Sequence, residues 1–433
     1  RPLFLRSVLP VSPDAAAHTA ALDLLHRVSS EDGLLASPTD ERNYRRVWAR
    51  DGVVCGLAGL AAGDDRVVAG LRRTLAVLAE NQGPDGQIPS NLRIDDGEAA
   101  DVSYGGLAGR VDAVAWFGIG LAQYVHSTGD EAFGRRHAAT ARRGLRLLRT
   151  WEFNDRGLVY VPLGGDWADE YVLHGYVLFD QVLRLWAQRL FEAVFGEDAR
   201  AERTARRIEA TFRPDPEVDP QTTYHPHAWE RYLNEHGAAA HWLAALSPSG
   251  YQARFDALSN ALAVLLGLGT EADRDRTLDA GEHIRRERPG RLVPAFWPPI
   301  REGDPQWTAL TDNYRDVFSN RPGHYHNGGL WPMVNGWWGM ALAAAGRTQA
   351  ARNLLNAIHH ANRVEPGTDD DRFLFPEYRD AQAGLPHGTS PLGWSAAAPV
   401  LLAARLAGSS SLLWPEADSP EPTPSAPSPS APE

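Results

Sequence analysis

Residues 51–81 read DGVVCGLAGLAAGDDRVVAGLRRTLAVLAEN, which is two helical stretches separated by one short turn. The turn is Gly63-Asp64. A glycine can end a helix in the left-handed conformation, and an aspartate directly after it can cap the next helix with its side chain. The same pair returns at Gly129-Asp130. The sequence therefore predicts a building unit of helix, short turn and helix.

Helical patterns of this kind recur along the chain, whereas strand-like alternation is scarce. About a dozen helices in consecutive hairpins favour an all-α fold, an (α/α)6 toroid in which an inner ring of helices is covered by an outer ring. A stacked helical solenoid is the alternative. Stretches rich in Gly and Ala, residues 51–62 and 337–345, suit tightly packed inner helices. The predicted helices are 14–28, 51–62, 64–81, 110–127, 130–150, 171–195, 197–212, 251–267, 270–286, 306–317, 331–345, 347–362 and 391–407.

The domain organisation follows from composition. Residues 1–414 are predicted to form one (α/α)6 catalytic domain, although 433 residues is long for a single domain. Residues 415–433 consist almost entirely of Pro, Ser, Ala, Glu and Asp. Such a segment buries too little apolar surface to offset the entropy of ordering it. It is predicted to be a disordered tail.

Charge and cysteine content exclude several function classes. The net charge is -12, and all 43 basic residues are Arg. Nucleic-acid binding depends on cationic side chains that neutralise phosphates, so neither nucleic acid nor an acidic membrane is expected as a partner. The lone Cys55 excludes an internal disulfide framework. With no apolar run long enough to span a bilayer and no leader-like start, a cytoplasmic location is expected, although a removed leader stays open because residue 1 is Arg.

Long loops between the predicted helices hold most of the Trp, Tyr, His and Asp residues. Long loops on one face of a rigid scaffold are where binding and catalysis usually occur. Aromatic side chains beside acidic ones suggest carbohydrate chemistry, because hydrolysing a glycoside needs two carboxyl groups and a surface that holds the sugar. These loops are residues 40–51, 83–110, 152–175, 213–236, 288–305, 319–331 and 363–394.

Two candidate segments place an acid at the start of a helix. Trp48, Arg50 and Asp51 precede one apolar helix, and Arg110, Asp112 and Trp116 open another. Each has a structural alternative. Asp51 equally suits a helix cap, and Asp112 equally suits a first-turn acid that the helix dipole favours.

A third segment, residues 164–171, crowds three carboxyl groups around aromatic side chains. Like charges and an aromatic wall both raise a carboxyl pKa, so one acid here is expected to stay protonated near neutral pH. This segment supplies the general-acid candidates Asp169 and Asp166, with Trp167 and His174 beside them. The alternative is an ordinary acidic helix start.

The fourth cluster is split along the chain. Glu377 lies between Pro376 and Tyr378 with no helical role to explain it, which makes it the second carboxylate candidate. A His-x-His pair could bind metal, but no third ligand has suitable spacing, and no metal is expected. The predicted sugar-binding residues of this cluster are His326, Asn327, Trp331, Tyr378 and Trp394.

Taken in order, these segments resemble the six-hairpin glycosidases, and most closely the neutral and alkaline invertases. The similarity runs from about residue 43 to about residue 405. That family shows an Arg-Asp after an aromatic stretch, a Gly-Arg-Val segment, an acid before His-Gly-Tyr, a Tyr-His-Asn-Gly-Gly motif, and Pro-Glu-Tyr before Trp-Ser. The matching positions here are Arg50-Asp51, residues 109–116, 167–169, 174–176, 325–332, 376–380 and Trp394-Ser395.

The resemblance implies Asp169 as general acid and Glu377 as general base, with no cofactor. Two acidic positions stay in competition, because one gap is needed to align His174 and Asp166 is then a rival acid. An inverting mechanism is predicted, with the two carboxyl groups about 6.5 to 9.5 Å apart. The expected partner is a small saccharide of sucrose type.

Other activities stay open as alternatives. One is an α-glucosidase that acts on trehalose, glycogen branches or glucosylglycerate, which related six-hairpin enzymes cleave. Another is a sugar epimerase with a His base, for which His174, His324 and His326 are candidates. A non-catalytic carbohydrate-binding barrel is the third. The oligomeric state is left open.

Overall fold

The structure is a computed structural model that describes residues 14–41, 43–364 and 372–415. Apart from Pro415, the predicted tail lies outside the described residues. Most described residues that form regular structure are helical. The helices are α1 Ala15–Val28, α2 Ala49–Ala62, α3 Asp65–Glu80, α4 Asp112–Thr128, α5 Glu131–Thr150, α6 Leu178–Phe195, α7 Ala201–Phe212, α8 Pro226–His236, α9 Ala257–Leu265, α10 Glu271–Arg286, α11 Trp307–Thr311, α12 Pro332–Ala344, α13 Thr348–Ala361 and α14 Gly393–Leu406.

Six of the described helices form a closed inner ring. Helices α2, α4, α6, α9, α12 and α14 pack against one another in that order, and α14 returns to pack against α2. Helices α1, α3, α5, α7, α10 and α13 pack outside them. This arrangement confirms the (α/α)6 toroid and excludes the open solenoid, because a solenoid does not bring its last helix back to its first.

The sequence of each helix matches its layer. Every residue of α4 from Asp112 to Val125 is buried, as expected for a helix enclosed on all sides. Outer helices such as α5 bury one face only. Glycines in α2 allow close packing, since a Cβ on Gly56 would lie 2.5 Å from Leu71 of α3. The predicted inner helices 51–62 and 337–345 do lie in the inner ring.

The inner helices all run in the same direction. Each of the first five is followed by a short turn into an outer helix and then by a longer connection to the next inner helix, whereas α14 is covered by α1 from the start of the chain. Gly63 is left-handed at the end of α2, and Asp64 caps α3 through the N–H groups of Arg66 and Val67. The amino ends of the inner helices therefore meet at one end of the barrel, together with the long loops.

Three small antiparallel sheets lie among these loops. The strands are β1 Val47–Trp48, β2 Asn91–Asp95, β3 Glu98–Ser103, β4 Tyr176–Val177, β5 Leu243–Ser247, β6 Gly250–Asp256, β7 Phe296–Trp297, β8 Tyr378–Arg379 and β9 Pro386–His387. Their orders are β1-β2-β3, β4-β5-β6-β7 and β8-β9. In the first sheet Trp48 pairs with Asn91, and Asn91 pairs with Ser103.

Several predicted element boundaries were wrong. The helix predicted over 171–195 begins at Leu178, because Tyr176 and Val177 pair with β5. The helix predicted over 251–267 begins at Ala257, since β6 occupies the preceding residues. The helix predicted over 306–317 is only the short α11, and the predicted loop 213–236 contains α8. Short strands escape a search for alternation because two residues carry no periodic signal.

The last described segment closes the opposite end of the barrel. The side-chain amide of Gln123 donates to the carbonyl of Leu413 at 2.7 Å and accepts from its N–H at 2.9 Å. Trp414 then stacks on Trp186 of α6, with ring centroids 4.6 Å apart. This end holds the carboxyl ends of the inner helices, so the segment lies away from the long loops.

Candidate active site

An open cleft of about 190 Å³ lies among the loops at the amino ends of the inner helices. A narrower extension continues inward past Trp48 and Arg110 to Arg50 and Asp112. Three residues predicted from sequence, Trp48, Arg110 and Asp169, line the cleft. The cleft walls also include Asn43, Arg46, Ser90, Asn91, Asp101, Ser103, Gly105, Gly106 and Arg315.

Glu377 is buried directly before β8 and is held by two hydrogen bonds. The hydroxyl of Tyr44 donates to Oε1 at 2.7 Å, and the N–H of Thr389 donates to Oε2 at 3.0 Å. Burial raises the pKa of Glu377 to about 7; the two hydrogen bonds lower it, and the negative charges of Asp51 and Asp169 raise it. A carboxyl oriented by two donors and poised near neutral pH has the properties of a general base.

The backbone around Glu377 is built to admit its side chain. A Cβ on Gly388 would lie 2.2 Å from Oε2 of Glu377, and Gly388 has a φ of 77°. Phe375, two residues before the glutamate, is also left-handed, with a φ of 48°. The hydroxyl of Ser395 in α14 donates to the carbonyl of Pro376 at 2.8 Å. The segment is therefore fixed to the inner ring.

Asp169 lies at the cleft with a third of its side chain exposed. A guanidinium N–H of Arg110 donates to its Oδ2 at 2.5 Å, and another reaches the carbonyl of Gly164. The charge of Asp169 acts on Glu377 and on the phenol of Tyr44. The two predicted catalytic carboxyls therefore lie close enough for their charges to interact.

Asp166 differs from Asp169 in its surroundings. It is buried, and the N–H of Ala168 donates to its Oδ1 at 2.8 Å. Burial, and then the charge of Asp112, raise its pKa to about 7. The expectation of a raised pKa in this segment therefore holds for Asp166, but the cause is burial and Asp112 rather than the adjacent acids. Asp166 does not line the cleft.

Arg50, Asp51 and Asp112 form a charged group at the amino ends of α2 and α4. Arg50 donates to Asp112 at 2.5 Å, and its guanidinium lies 5.7 Å from the ring centre of Trp394. Asp51 is buried in the first turn of α2 and does not cap it, because the cap residue is Trp48. Burial raises the pKa of Asp51 to about 6, against the opposing charge of Arg50.

An aromatic cluster adjoins these charges. Trp167 meets His326 and Trp331 edge-on, with centroids 5.2 and 5.5 Å apart. Trp331 stacks on His326 and Tyr378 and meets Trp394 edge-on. Four segments far apart in the sequence, which contribute Trp167, residues 326–331, Tyr378 and Trp394, thus come together in one wall.

Several polar atoms of this wall have no hydrogen-bond partner among the residues that the structure describes. Each of these atoms is buried. A buried polar atom normally has a partner, so unused donors and acceptors grouped at one place suggest a polar ligand. These atoms are Oδ1 of Asp51, Nε1 of Trp167, Nδ1 of His326 and Nε1 of Trp394.

Comparison with known proteins agrees with this geometry. The sequence profile of the alkaline and neutral invertases matches residues 217–406. The probable alkaline/neutral invertase D of Arabidopsis thaliana is 23% identical over 392 residues, which are 79% of this chain and 71% of that protein. The chain is a six-hairpin glycoside hydrolase that is similar to the alkaline and neutral invertases.

Solved structures share the fold of this glycoside hydrolase. A family 63 mannosylglycerate hydrolase from Thermus thermophilus, in complex with glucose, has a TM-score of 0.62 at 15% identity, covering 89% of this chain and 99% of that one. The same enzyme with Tris and D-glycerate gives 0.61 at 14% identity, with the same coverage. A further wild-type glycosidase gives 0.56 at 18% identity, covering 90% of this chain and 95% of its own.

Three residues that were predicted to bind substrate lie in surroundings that differ from those of the cleft residues. The side chain of Asn327 bonds to Ile300 on both its oxygen and its nitrogen, so it holds two loops together. Trp116 lies one turn further along α4 than Asp112 and packs on Trp186 and Trp337 inside the barrel. His174 is half-buried beside Gly175, which pairs with Val161.

Two histidines that were candidates for a general base, His324 and His326, lie in different surroundings. Burial, and then the cations Arg50 and Arg110, lower the pKa of His326 well below its usual value. The ring of His324 lies 5.2 Å from that of His387 and meets the ring of Tyr378 edge-on at 6.4 Å. Over residues 14–41, 43–364 and 372–415 no three His, Cys, Asp or Glu side chains are grouped to hold a metal ion. In the same part of the chain, no helix is long and apolar enough to cross a membrane.

Sequence reasoning missed Tyr44, Arg46, Asp101 and Arg315. Arg46 donates to Asn91 and to Asp101, at 3.1 and 2.6 Å, and so joins β1 to the β2-β3 hairpin at the cleft. Tyr44 precedes the Arg-Asp motif within the aromatic stretch, and that position was the available signal. No local signal marks Arg315, which reaches the cleft only through the fold.

Proposed function

We propose that the enzyme hydrolyses a small gluco-saccharide of sucrose type with inversion of configuration. One observation carries this proposal: Glu377 is buried, held by Tyr44 and Thr389, and close enough to Asp169 for their charges to interact. Two carboxyls in such an arrangement meet the requirement for glycoside hydrolysis, in which one donates a proton and the other accepts one.

The proposed reaction uses Asp169 as the acid and Glu377 as the base. Asp169 gives its proton to the glycosidic oxygen as the bond to the anomeric carbon breaks. Glu377 takes a proton from a water molecule whose oxygen bonds to that carbon from the opposite face. Arg110 donates a hydrogen bond to Asp169, so the acid role requires that Asp169 leave Arg110 and carry a proton when substrate binds. No cofactor is needed.

The surroundings of the carboxyls support a glucosyl unit as the group that is transferred to water. Arg50 and Asp51 offer a cation and an acceptor, while the indole N–H groups of Trp167 and Trp394 offer donors. Hydroxyl groups that point in several directions satisfy such a mixed set. The family 63 neighbour was solved with glucose, which agrees with this choice.

An acidic aglycone is the second candidate, and the charge of the cleft favours it. Arg46, Arg110 and Arg315 line the cleft against two carboxylates, Asp101 and Asp169. Because the guanidinium groups outnumber the carboxylates by one, a guanidinium at the mouth of the cleft is available to bind the carboxylate group of a substrate such as a glycosylglycerate. The family 63 neighbour was solved with D-glycerate. The trehalase and debranching types have no comparable observation in their favour.

The test is release of reducing sugar from sucrose, glucosylglycerate, trehalose and short α-glucans. We expect one substrate to be cleaved, and Asp169→Asn and Glu377→Gln each to lower kcat by about 10² to 10⁴. Asp166→Asn is the matched control and is expected to retain activity within about tenfold. Activity that survives Asp169→Asn but not Asp166→Asn would transfer the acid role to Asp166.

The stereochemistry is followed separately by proton NMR of the first sugar released. An α-linked substrate that yields β-glucose first supports inversion, whereas α-glucose first indicates retention and contradicts the proposed roles. If Arg315→Gln weakens hydrolysis of glucosylglycerate alone, the acidic aglycone is preferred. If no substrate is cleaved by a folded enzyme, the proposed activity is wrong.

A further inference from the structure

A layer of four buried carboxyl groups, whose charges interact, includes one that lines the inward extension of the cleft. Asp112 opens α4, Asp166 precedes α6, Asp180 lies in the first turn of α6, and Asp256 caps α9. Burial, and then the charges of Asp166 and Asp112, raise the pKa of Asp180 well above its usual value. Since Asp112 itself borders the extension, this layer adjoins the space that the cleft opens into.

The four carboxyls are unequally satisfied. Asp112 is paired with Arg50, and Asp256 accepts from the N–H groups of Leu258 and Ser259. In contrast, Oδ2 of Asp166 and both carboxyl oxygens of Asp180 have no hydrogen-bond partner within the described chain. Burying a carboxyl with neither oxygen bonded is costly. No hydrogen bond to another described residue therefore explains why an acid occupies the position of Asp180.

An unused donor accompanies these unused acceptors. The indole N–H group of Trp167, which is buried, likewise lacks a partner among the described residues. The ring of Trp167 lies 6.4 Å from that of Phe179, the neighbour of Asp180. A hydroxyl group both donates and accepts, so a polyol satisfies such a set, whereas a cation satisfies only the acceptors.

We propose that Asp180 binds hydroxyl groups of the glycosyl unit at the floor of the sugar pocket. This inference rests on the proposed function, which supplies the glycosyl unit. It adds a substrate-binding residue that no sequence motif marked. Asp180 selects for a sugar whose hydroxyl groups reach the floor of the sugar pocket. It does not take part in proton transfer.

The test compares glucose binding by calorimetry in the wild type and in Asp180→Asn, Asp180→Leu and Asp256→Asn. Asp256→Asn is the matched control, because it changes a buried acid of the same layer whose oxygens already have partners. We expect Asp180→Leu to weaken glucose binding about tenfold or more, since the hydrogen bonds between the Asp180 carboxyl group and the sugar are lost. Asp256→Asn is expected to leave affinity within about twofold.

Thermal unfolding separates binding from folding. Replacing an unpaired buried carboxyl with an apolar side chain of similar size does not destabilise a protein in general. We therefore expect Asp180→Leu to keep or raise Tm while it loses affinity. Deoxyglucoses then identify the hydroxyl group that Asp180 binds. The deoxyglucose that lacks this hydroxyl group should bind Asp180→Asn as tightly as glucose binds Asp180→Asn.

Each outcome has a distinct meaning. Unchanged glucose affinity in Asp180→Leu overturns the inference and leaves the proposed function standing. A lower Tm with unchanged affinity assigns Asp180 a structural role only, which also overturns it. If the folded wild type binds neither glucose nor mannose, fructose and galactose, and cleaves no disaccharide, both the inference and the proposed function are wrong.

Discussion

The phenol of Tyr44 donates a hydrogen bond of 2.7 Å to Oε1 of Glu377, although 333 residues separate the two in sequence. Tyr44 also stacks on Trp48, which lines the cleft. The tyrosine therefore connects the cleft wall of one hairpin to the carboxyl of another. Ring closure makes this contact possible, since the loops before α2 and before α14 are adjacent only when α14 packs against α2.

Removing this hydroxyl should change the pH dependence of the reaction. The hydrogen bond from Tyr44 lowers the pKa of Glu377, which burial sets near 7. In Tyr44→Phe that pKa rises, so fewer molecules hold an ionised base at neutral pH. We expect the acidic limb of kcat/KM to move up by about one pH unit.

The control for this profile is Tyr251→Phe, because that hydroxyl bonds to the carbonyl of Thr211 rather than to the site. The profile of the control should match that of the wild type. If Tyr44→Phe and the wild type share the same acidic limb, Tyr44 does not act on the ionising group, or Glu377 is not the base.

A methyl group at Gly388 should displace the carboxyl of Glu377. The added Cβ would lie 2.2 Å from Oε2, and the left-handed φ of 77° is unfavourable for alanine. The left-handed conformation alone costs about 1 to 2 kcal/mol. We expect Gly388→Ala to lower kcat/KM about a hundredfold or more, since misplacement by about 1 Å has effects of that size.

Gly129→Ala provides the matched comparison. Its φ of 71° is nearly the same, but nothing lies within 4 Å of the added Cβ. Chemical denaturation should show a similar loss of stability in both variants, while activity falls only in Gly388→Ala. Equal activity in the two variants would mean that Glu377 is not held as the structure shows.

His359 should make the protein sensitive to acid. It is buried in α13, and neither ring nitrogen has a hydrogen-bond partner within the described residues. Burial lowers its pKa to about 4; Asp14 raises it, whereas His18, Arg363 and His360 lower it. An unfolded histidine titrates near 6.5, so between about pH 6.5 and 4 the unfolded chain binds more protons. The stability contributed by His359 is thus complete above pH 6.5 and is lost as the pH falls to 4.

Replacing His359 should make the free energy of unfolding depend less steeply on pH. The linkage for His359 amounts to at most about 3 kcal/mol across the window. We expect denaturation of His359→Gln to depend less on pH between about 6.5 and 4 than denaturation of the wild type. The fully exposed His227→Gln should keep the wild-type slope, and a parallel slope in His359→Gln would show that another group is responsible.

Trp414 should stabilise the barrel without affecting catalysis. Its ring stacks on Trp186, and the adjacent Leu413 is bound on both sides of its peptide by Gln123. Removing a half-buried tryptophan costs about 2 kcal/mol or more. We expect Trp414→Ala to lower Tm by several degrees, as follows for a chain of this size.

Since this segment lies at the end opposite the cleft, kcat/KM below the unfolding range should stay within about twofold. A large loss of kcat/KM would indicate coupling between the two ends of the barrel.

The helical hairpins could be predicted because their signals are local. A glycine that ends one helix and an aspartate that caps the next, as at Gly63-Asp64, need only neighbouring residues. The short strands could not be predicted this way. Tyr176 and Val177 are extended because β5 pairs with them, and β5 begins more than sixty residues later in the chain.

The candidate site could likewise be predicted from the sequence only in part. Residue type and motif order drew attention to Asp169, Glu377, Arg50 and Asp51, and their roles stay predictions. The sequence could not separate Asp166 from Asp169, since both stand in one acidic segment. Tertiary structure separates them, because one is buried against Asp112 and the other lies at the cleft beside Arg110.

The sequence alone therefore determined the repeating helical unit and the loops that contain the chemistry, since both depend on contacts a few residues apart. Tertiary structure decided which side chains meet and which are buried. Asn327 bonds to a loop and Asp180 is buried without a partner for reasons that no local pattern contains. Burial and charge act through space, and only the closed ring brings the amino ends of its helices to one place.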